Sequence, residues 1–374
     1  MPYPHLTQPR HPALSTMKNK SQSVLERFAN SSMLQRFHEV CIYSAGLAWR
    51  ILPNSMQVSA LGRRYGGSVH KMVQAFSSRS QYFSTFFMRN RPELELMCRL
   101  LDQKDYGASV SMAVLACSKG AEVYSIMWKI GSARPDLKLT VYAVDISEEI
   151  LEFAQRGIYS LDQPDMSAKP DAFETIQERD VSWNTGRDQN AWIFERMTKA
   201  EIDSMFEIDG EEARIKPCLK KGINWIRGDA GDEELVRALG PQDIVIANRF
   251  LCHMKPGDAR RCIHNAARLV RPGGHLFVSG IDLDVRMRVA RELGWQPIKD
   301  LMRDVHEGDP SLREGWPLKY WALEPFDSDR PDQEIRYASV FRLGGTHAPL
   351  ASVSGAGIAN SVAVPGLAVQ RHSG

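Results

Sequence analysis

Apolar positions fall into two regimes along the chain. From about Gln22 to Leu101 they repeat at helical spacing. Val69, Met72, Val73 and Phe76 stand at i, i+3, i+4 and i+7, one stripe of a helix. Met33, Phe37, Val40 and Cys41 make a similar stripe upstream, and Gly66-Gly67-Ser68 reads as a break and N-cap between the two. From about Ser109 the texture changes. Short, wholly apolar runs, as of strands buried on both faces, alternate with amphipathic stretches. The strands are Ala113–Ala116, Leu139–Val144 closed by Asp145, Asn224–Ile226, Ile244–Ala247 and Leu276–Val278. Helices fall between them: one bears Val123, Ile126, Met127 and Ile130, and one is capped by Ser147 and stopped by Gly157. Two more span about Asp232–Leu239 and Asp258–Val270.

Such alternation predicts an α/β fold, a Rossmann-like doubly wound sheet. Two features depart from that rhythm. The segment from about Ser160 to Lys221 is too long for a simple connection. Its Asp209-Gly210 pair, between Phe206-Glu207-Ile208 and Ala213–Lys216, predicts a hairpin in a small inserted antiparallel subdomain. Near the C-terminus, Lys319–Leu323 and Ile335–Leu343 read as two strands that pair antiparallel at the sheet edge. The predicted organisation is an arm over 1–21, a helical domain over 22–101, an α/β domain over 102–343 and a tail over 344–374. The arm carries four prolines and little periodicity, and the tail lacks the large side chains that offset ordering entropy, which predicts disorder in both.

Composition narrows the classes. Lys and Arg number 47 against 45 Asp and Glu, a net +2, so no charge excess directs the chain to nucleic acid or an anionic membrane. The 6 cysteines form no CxxC pair, which excludes a zinc ribbon and argues against a disulfide framework. Cys252, Cys262 and His264 match no common ligand spacing, so no metal is expected. No apolar run reaches the ~18 residues a membrane helix needs, and the N-terminal stretch lacks the apolar core of a secretory signal. The expectation is a cytoplasmic protein.

Ligands of an open parallel sheet sit beyond the C-terminal ends of its strands. Those ends carry Cys117-Ser118-Lys119-Gly120-Ala121-Glu122, then Asp145-Ile146, then Asp229-Ala230, then Asn248 through His253. An acid closing the second strand can accept both hydroxyls of a ribose. A dinucleotide would also need a GxGxxG phosphate cradle, and only Gly120 is present. S-Adenosylmethionine has a ribose and no phosphate, and one glycine with an acid, Glu122, suits it better.

These residues resemble a family. VLACSKGAEVYSI, VYAVDISEEILEFAQRGIYSL, INWIRGDA, DIVIANRFLCHM and LVRPGGHLFVSG are similar to the CheR-type chemotaxis receptor methyltransferases, over about Phe83 to Gly280. The resemblance implies S-adenosylmethionine as cofactor and methyl transfer to glutamate side chains. It implies Gly120 and Glu122 against the methionine portion, Asp145 on the ribose, and Asp229 and Ala230 beside the adenine. Cys117, Ser118, Ile146 and Asn248, at the same strand ends, complete the candidate cofactor set. Thr85-Phe86-Phe87-Met88-Arg89 echoes the family's T-x-F-F-R, which makes Arg89 a candidate catalytic residue and Arg91 a second. The family's R-N-V-M-I-Y-F loop reads Asn248–Met254 here, and His253 takes the tyrosine's place. The family's H-S-E-x-F signature is replaced by Gly280-Ile281-Asp282-Leu283-Asp284, and HEGDPSLREGWPLKYWALEPF has no counterpart.

These departures touch the acceptor side. A carboxylate acceptor is ionised at neutral pH and needs only a cation to hold it. A hydroxyl or amine acceptor would need a base, and His253 is the available one. Three readings remain open: a protein-carboxylate methyltransferase acting on an acidic protein segment, a methyltransferase with a remodelled acceptor site for a small molecule, and a non-catalytic S-adenosylmethionine-binding module. Lys220-Lys221 could attract an acidic peptide. Trp183, Trp192, Trp316 and Trp321 could line an acceptor pocket or fill a core.

Overall fold

The computed structural model describes residues 32–77, 79, 83, 85–161, 192–313 and 315–344. The predicted arm, the tail beyond Gly344 and the middle of the insertion, with Trp183, lie outside the described residues. The chain divides into two compact units: Met1–Ser77 with Trp316–Tyr320, and Ser78–Gly315 with Trp321–Gly374.

The smaller unit is helical. Helix α1 spans Ser32–Ile51 and α2 spans Ala60–Phe76. The Gly66-Gly67 break is not there: α2 runs through both glycines and is capped by Ser59, whose side chain accepts from Gly62 N. The reason is packing. A Cβ on Gly66 would stand 2.4 Å from the Trp316 ring, so the glycine admits that indole inside a continuous helix. Trp316 meets Trp49 edge-on at 5.2 Å between ring centroids, which places it in this unit's core. The predicted stripes hold in part. Val69 and Val73 are buried, but Val40 and Phe76 are exposed.

The larger unit is built on a seven-stranded sheet. Its strands are β1 (Ser109–Leu115), β2 (Lys138–Asp145), β6 (Ile223–Arg227), β7 (Gln242–Ile246), β8 (Val270–Phe277), β9 (Gln296–Pro297) and β10 (Val340–Arg342). The order is β6-β2-β1-β7-β8-β10-β9. The five strands from β6 to β8 are mutually parallel, and β10 runs antiparallel to both β8 and β9. This is the doubly wound sheet expected. β1 is apolar throughout its buried length because both faces are covered, with Met112, Ala113 and Val114 fully buried.

The edge differs from expectation. Lys319–Leu323 forms no strand; the partner of β10 is Gln296–Pro297, with Phe341 opposite Pro297. Residues through Tyr320 belong to the smaller unit, and Leu323 N donates instead to Leu312 O. Helix α3 (Arg91–Leu101), within the helical stretch of the sequence, falls in the larger unit and buries Leu94, Leu96, Met97 and Leu101 in its core.

The remaining helices that frame the site are α4 (Ala121–Ala133), α5 (Glu148–Arg156), α6 (Glu233–Leu239), α7 (Pro256–Leu269) and α8 (Leu283–Glu292). Between α5 and β6 a second sheet of order β3-β5-β4 forms from β3 (Ile158–Ser160), β4 (Phe206–Asp209) and β5 (Glu212–Ile215). β4 and β5 make the predicted hairpin, with Asp209 opposite Glu212 and Gly210 at φ +59°. An aromatic cluster of Phe87, Tyr159, Phe194 and Phe206 packs beneath it, all four rings buried.

Candidate functional site

Strand order reverses between β1 and β7, and a crevice opens beyond the C-terminal ends of the strands there. It spans about 840 Å³ of space, open solvent at its mouth included. Its lining includes Phe83, Thr85, Arg89, Cys117, Ser118, Glu122, Asp145, Ile146, Gly228, Asp229, Ala230, Asn248, Arg249, Phe250, His253 and Met254. Ten of the twelve sequence candidates are therefore brought to one cleft. The two left out are Gly120 and Arg91.

Gly120 makes the turn rather than the wall. It stands at φ +83° as the N-cap of α4, where a Cβ would press on Ala154, Trp225 and Tyr124 at 3.1–3.2 Å. Arg91 is turned to the surface, where it pairs with Glu201 and donates to Arg196 O at 2.7 Å. Its place at the start of α3, after the Asn90 cap, fixes that direction.

The side of the cleft at the ends of β2 and β6 is acidic. Asp145 ends β2 and is buried, with Oδ2 accepting from Ser118 N at 2.8 Å and Oδ1 from Ser147 N at 3.1 Å. Burial pushes its carboxyl up, and those backbone donors pull it back. Each oxygen keeps lone pairs for further donors, as a ribose diol requires. Asp229 lies in the loop after β6, where its Oδ1 accepts from Gly231 N at 2.7 Å. Ile146, an exposed apolar side chain, and Ala230 both line the cleft.

Beneath this side the candidate Glu122 shares a bridge with a second carboxyl, Glu93, which the sequence reading missed. Asn248 Nδ2 donates to Glu122 Oε1 at 2.9 Å and to Glu93 Oε1 at 2.7 Å. Its Oδ1 accepts from Ser279 N and Oγ, both at 2.9 Å. Asn248 is thus a saturated bridge. Burial raises both carboxyls, and beside Glu122 the Glu93 group reaches about 8. Glu93 lies only three residues past the Asn90 cap in sequence, in an amphipathic helix where a charged residue reads as surface.

The side of the cleft beyond β7 is basic. Arg89 and Arg249 both line it. Burial lowers the Arg89 guanidinium to about 10, and the charge of Arg249 adds to that. His253 is driven down to about 3, by burial first and then by Arg249, Arg79 and Arg89. Its ring lies 6.4 Å from that of Trp321. The loop that carries it is fixed from outside: Arg79 Nη1 donates to Cys252 O at 3.0 Å and Met254 O at 2.9 Å, while Nη2 meets Asp282 Oδ2 at 2.8 Å. Asp309, buried behind the arginines, also escaped the sequence reading. It sits in the stretch without a family counterpart.

Backbone strain gathers here. Among the described residues, five other than glycine have positive φ, and Ala116, Ser118 and Arg249 of these line the cleft. Elsewhere basic side chains are spent on structure. Lys220 Nζ donates to Arg156 O at 2.7 Å, at the C-terminal end of α5. On α7, Arg260 pairs with Glu292 and Arg268 with Glu233. No described helix is long and apolar enough to cross a membrane.

Comparisons with known proteins add to this geometry. A search of curated proteins finds no match. Among solved structures, an O-methyltransferase family protein from Burkholderia thailandensis is 13% identical, with 84% of this chain and 72% of that one covered and a TM-score of 0.31. Magnesium protoporphyrin IX methyltransferase from Synechocystis PCC 6803, with bound S-adenosylmethionine, is 12% identical over 66% and 85% of the two chains, at a TM-score of 0.29. The DszA carbon methyltransferase is 12% identical over 60% of this chain, at a TM-score of 0.26; the chain spans only 37% of that protein's length and 35% of another neighbour's. Residues 84–173 match the family model described as CheR methyltransferase, SAM binding domain. That segment holds β1, β2, Glu122 and Asp145, the part of the sequence on which the resemblance was strongest. Over residues 84–173 the chain is similar to the SAM-binding domain of the CheR methyltransferases, and its cofactor is S-adenosylmethionine.

Proposed function

We propose that the protein methylates a carboxylate of an acidic protein segment, as a glutamate O-methyltransferase, in the cytoplasm. The observation that carries this reading is the division of the cleft: acids where the cofactor belongs, guanidiniums around a neutral histidine where the acceptor belongs. When bound, S-adenosylmethionine supplies an electrophilic methyl, so an acceptor oxygen forms the O–C bond as the S–C bond breaks and its electron pair stays on sulfur.

In this reading the chain's own groups do little proton chemistry. Asp145 accepts from the ribose hydroxyls, and Asp229, Ala230 and Ile146 border the adenine. Glu122 faces the cofactor's ammonium group, held in place by Asn248. Cys117 and Ser118 shape the first turn, with Ser118 N tying that turn to Asp145. Arg89 holds the acceptor carboxylate in line. In-line alignment, rather than a base, is what a displacement at a methyl requires. His253, with its pKa near 3, is a poor proton acceptor at neutral pH and serves as a positioning group. The domain over 102–343 contributes the cofactor half, and Arg89 comes from the segment before it.

A second reading, a small-molecule acceptor, draws on one observation. The stretch that supplies Asp309, Ser311 and Trp321 to the acceptor side is the one without a family counterpart. The experiment that separates the two uses methyl-labelled cofactor with lysate of the host. Carboxyl methyl esters release methanol in mild alkali, so alkali-labile label on protein supports the proposal. Alkali-stable label, or label confined to small molecules, contradicts it.

A further inference from the structure

The smaller unit leaves more large apolar side chains exposed than the larger one. Among the described residues eleven such side chains are exposed, and eight of them lie between Val40 and Phe76. Four of the eight, Val40, Tyr43, Leu47 and Ile51, belong to α1 and are exposed at 61%, 52%, 45% and 73%. The opposite face of that helix is already used. Gly46 and Trp49 are buried, a Cβ on Gly46 would meet the Leu318 side chain at 3.0 Å, and Ala45 O accepts from the Tyr65 hydroxyl at 2.9 Å. No charged residue interrupts the helix from Val40 to Trp49. A helix that is apolar all round belongs where both faces are covered, and within this chain one is.

The spacing of the exposed residues selects what covers them. Val40, Ser44, Leu47 and Ile51 follow one another at steps of 4, 3 and 4, the seam of one helix packed on another, and all four are exposed. In the sequence the same steps continue upstream through Phe37 and Met33. A helix that lies on lipid presents a wide apolar face with a basic face opposite, whereas here the opposite face is packed in protein. The seam is also complementary to itself. Set antiparallel against a second copy, Val40 faces Ile51 of that copy and the small Ser44 faces its Leu47. A parallel pairing would set Ser44 against Ser44 and leave a gap at the centre. With no charge from Val40 to Trp49, self-pairing brings no like charges together in these layers, and nothing there selects a foreign partner by charge. The same surface meets itself, as a two-fold contact requires.

We propose that α1 pairs antiparallel with α1 of a second copy of this chain, which makes the smaller unit a dimerisation element. The inference is independent of the carboxylate reading. All the residues that line the cleft belong to the larger unit, so each copy keeps a site complete in one chain. The 20 residues of α1 make a helix about 30 Å long. A strip of that length falls below the ~800 Å² per partner of a standard interface, which predicts a dimer of micromolar rather than nanomolar affinity.

The test is sedimentation equilibrium of the full chain at concentrations up to about 200 µM, a range that covers weak interfaces. Wild type should fit a monomer–dimer equilibrium. Leu47→Arg should weaken it by about 100-fold, because the change enters each dimer twice and a tenfold loss per copy multiplies. Leu47 is exposed in the single chain, so the variant should keep the far-ultraviolet circular dichroism of wild type. Oxidative cross-linking reads the same face without that variant, in a Cys41→Ser, Cys218→Ser background. A Val40→Cys chain mixed with an Ile51→Cys chain should give a disulfide-linked pair, and Val40→Cys alone should not. A wild-type monomer throughout the range overturns the proposal, as does a dimer that survives Leu47→Arg. Self-linking of Val40→Cys overturns the antiparallel register. Flotation of monomeric wild type, but not of Leu47→Arg, with phosphatidylglycerol vesicles would overturn it too and assign the face to a membrane.

Discussion

The two halves of the cleft are built by different means. The half proposed for the cofactor is made of short-range parts. Ser118, Glu122 and Asp145 each sit within a few residues of a strand end, and the backbone of one turn holds the carboxylate of the next. Its geometry follows from the sheet. The acceptor half is assembled from distant segments: Arg89 before α3, Arg196 in the insertion, Arg249 after β7 and Asp309 more than fifty residues further on. Arg249 sits at a strand end, its N–H on Ser279 O, whereas Arg89, Arg196 and Asp309 are brought together by long-range contacts. A core of this kind can keep its cofactor while its acceptor changes, because the two halves share few residues. Asn248 is one link between them, since it contacts Glu122 on one side and precedes Arg249 on the other.

The largest expected effect separates the halves by rate. Arg89→Ala should lower transfer by about 100-fold, as loss of a positioned charge contact does, while cofactor affinity holds. A rate within a few-fold of wild type would return Arg89 to a structural role beside Phe86.

The next effect is on stability. Glu93 in the folded protein keeps its proton to about 8, against an ordinary 4.5, because of burial and the neighbouring Glu122. The unfolded chain releases that proton earlier. Stability is therefore lost as pH rises from about 4.5 to 8. Glu93→Gln keeps the acceptor for Asn248 and removes the titration. Its melting temperature should decline less than that of wild type between the two ends of that window. Parallel declines would show that Glu93 is already ionised in the fold.

A smaller effect concerns His253. His253→Phe should lower the transfer rate a few-fold and leave its pH profile unmoved, since burial and three arginines keep the imidazole neutral down to about 3. An acid limb near 6–7 in wild type that vanishes in the variant would make the histidine a base. It would favour a hydroxyl or amine acceptor.

The same contrast explains what could be read from the chain. The alternation of apolar runs from Ser109 onward declares the parallel sheet, since strands buried on both faces have no polar positions to confuse the pattern. The Asp209-Gly210 hairpin was equally plain, because its turn chemistry is local. The Gly66-Gly67 break failed, as a glycine that ends helices also makes room for Trp316. The edge strand Lys319–Leu323 failed because two residues near Pro297, too short to show a period, took its place. In the cleft, strand-end residues were legible and Arg249, Asp309 and Arg79 were not. Their roles depend on long-range convergence, for which a single sequence has no periodic signal. Arg249 had one available hint: it adjoins Asn248 in a loop whose order of Asn and Arg inverts that of the family it resembles.

The division of the cleft is tested most directly by calorimetric titration of S-adenosylhomocysteine into wild type, Asp145→Ala and Arg89→Ala. Asp145→Ala should weaken binding by about 1.5–3 kcal/mol, the range for charged hydrogen bonds, and Arg89→Ala should leave it unchanged. Equal losses in both variants, or none in Asp145→Ala, would contradict the separation of a cofactor half from an acceptor half.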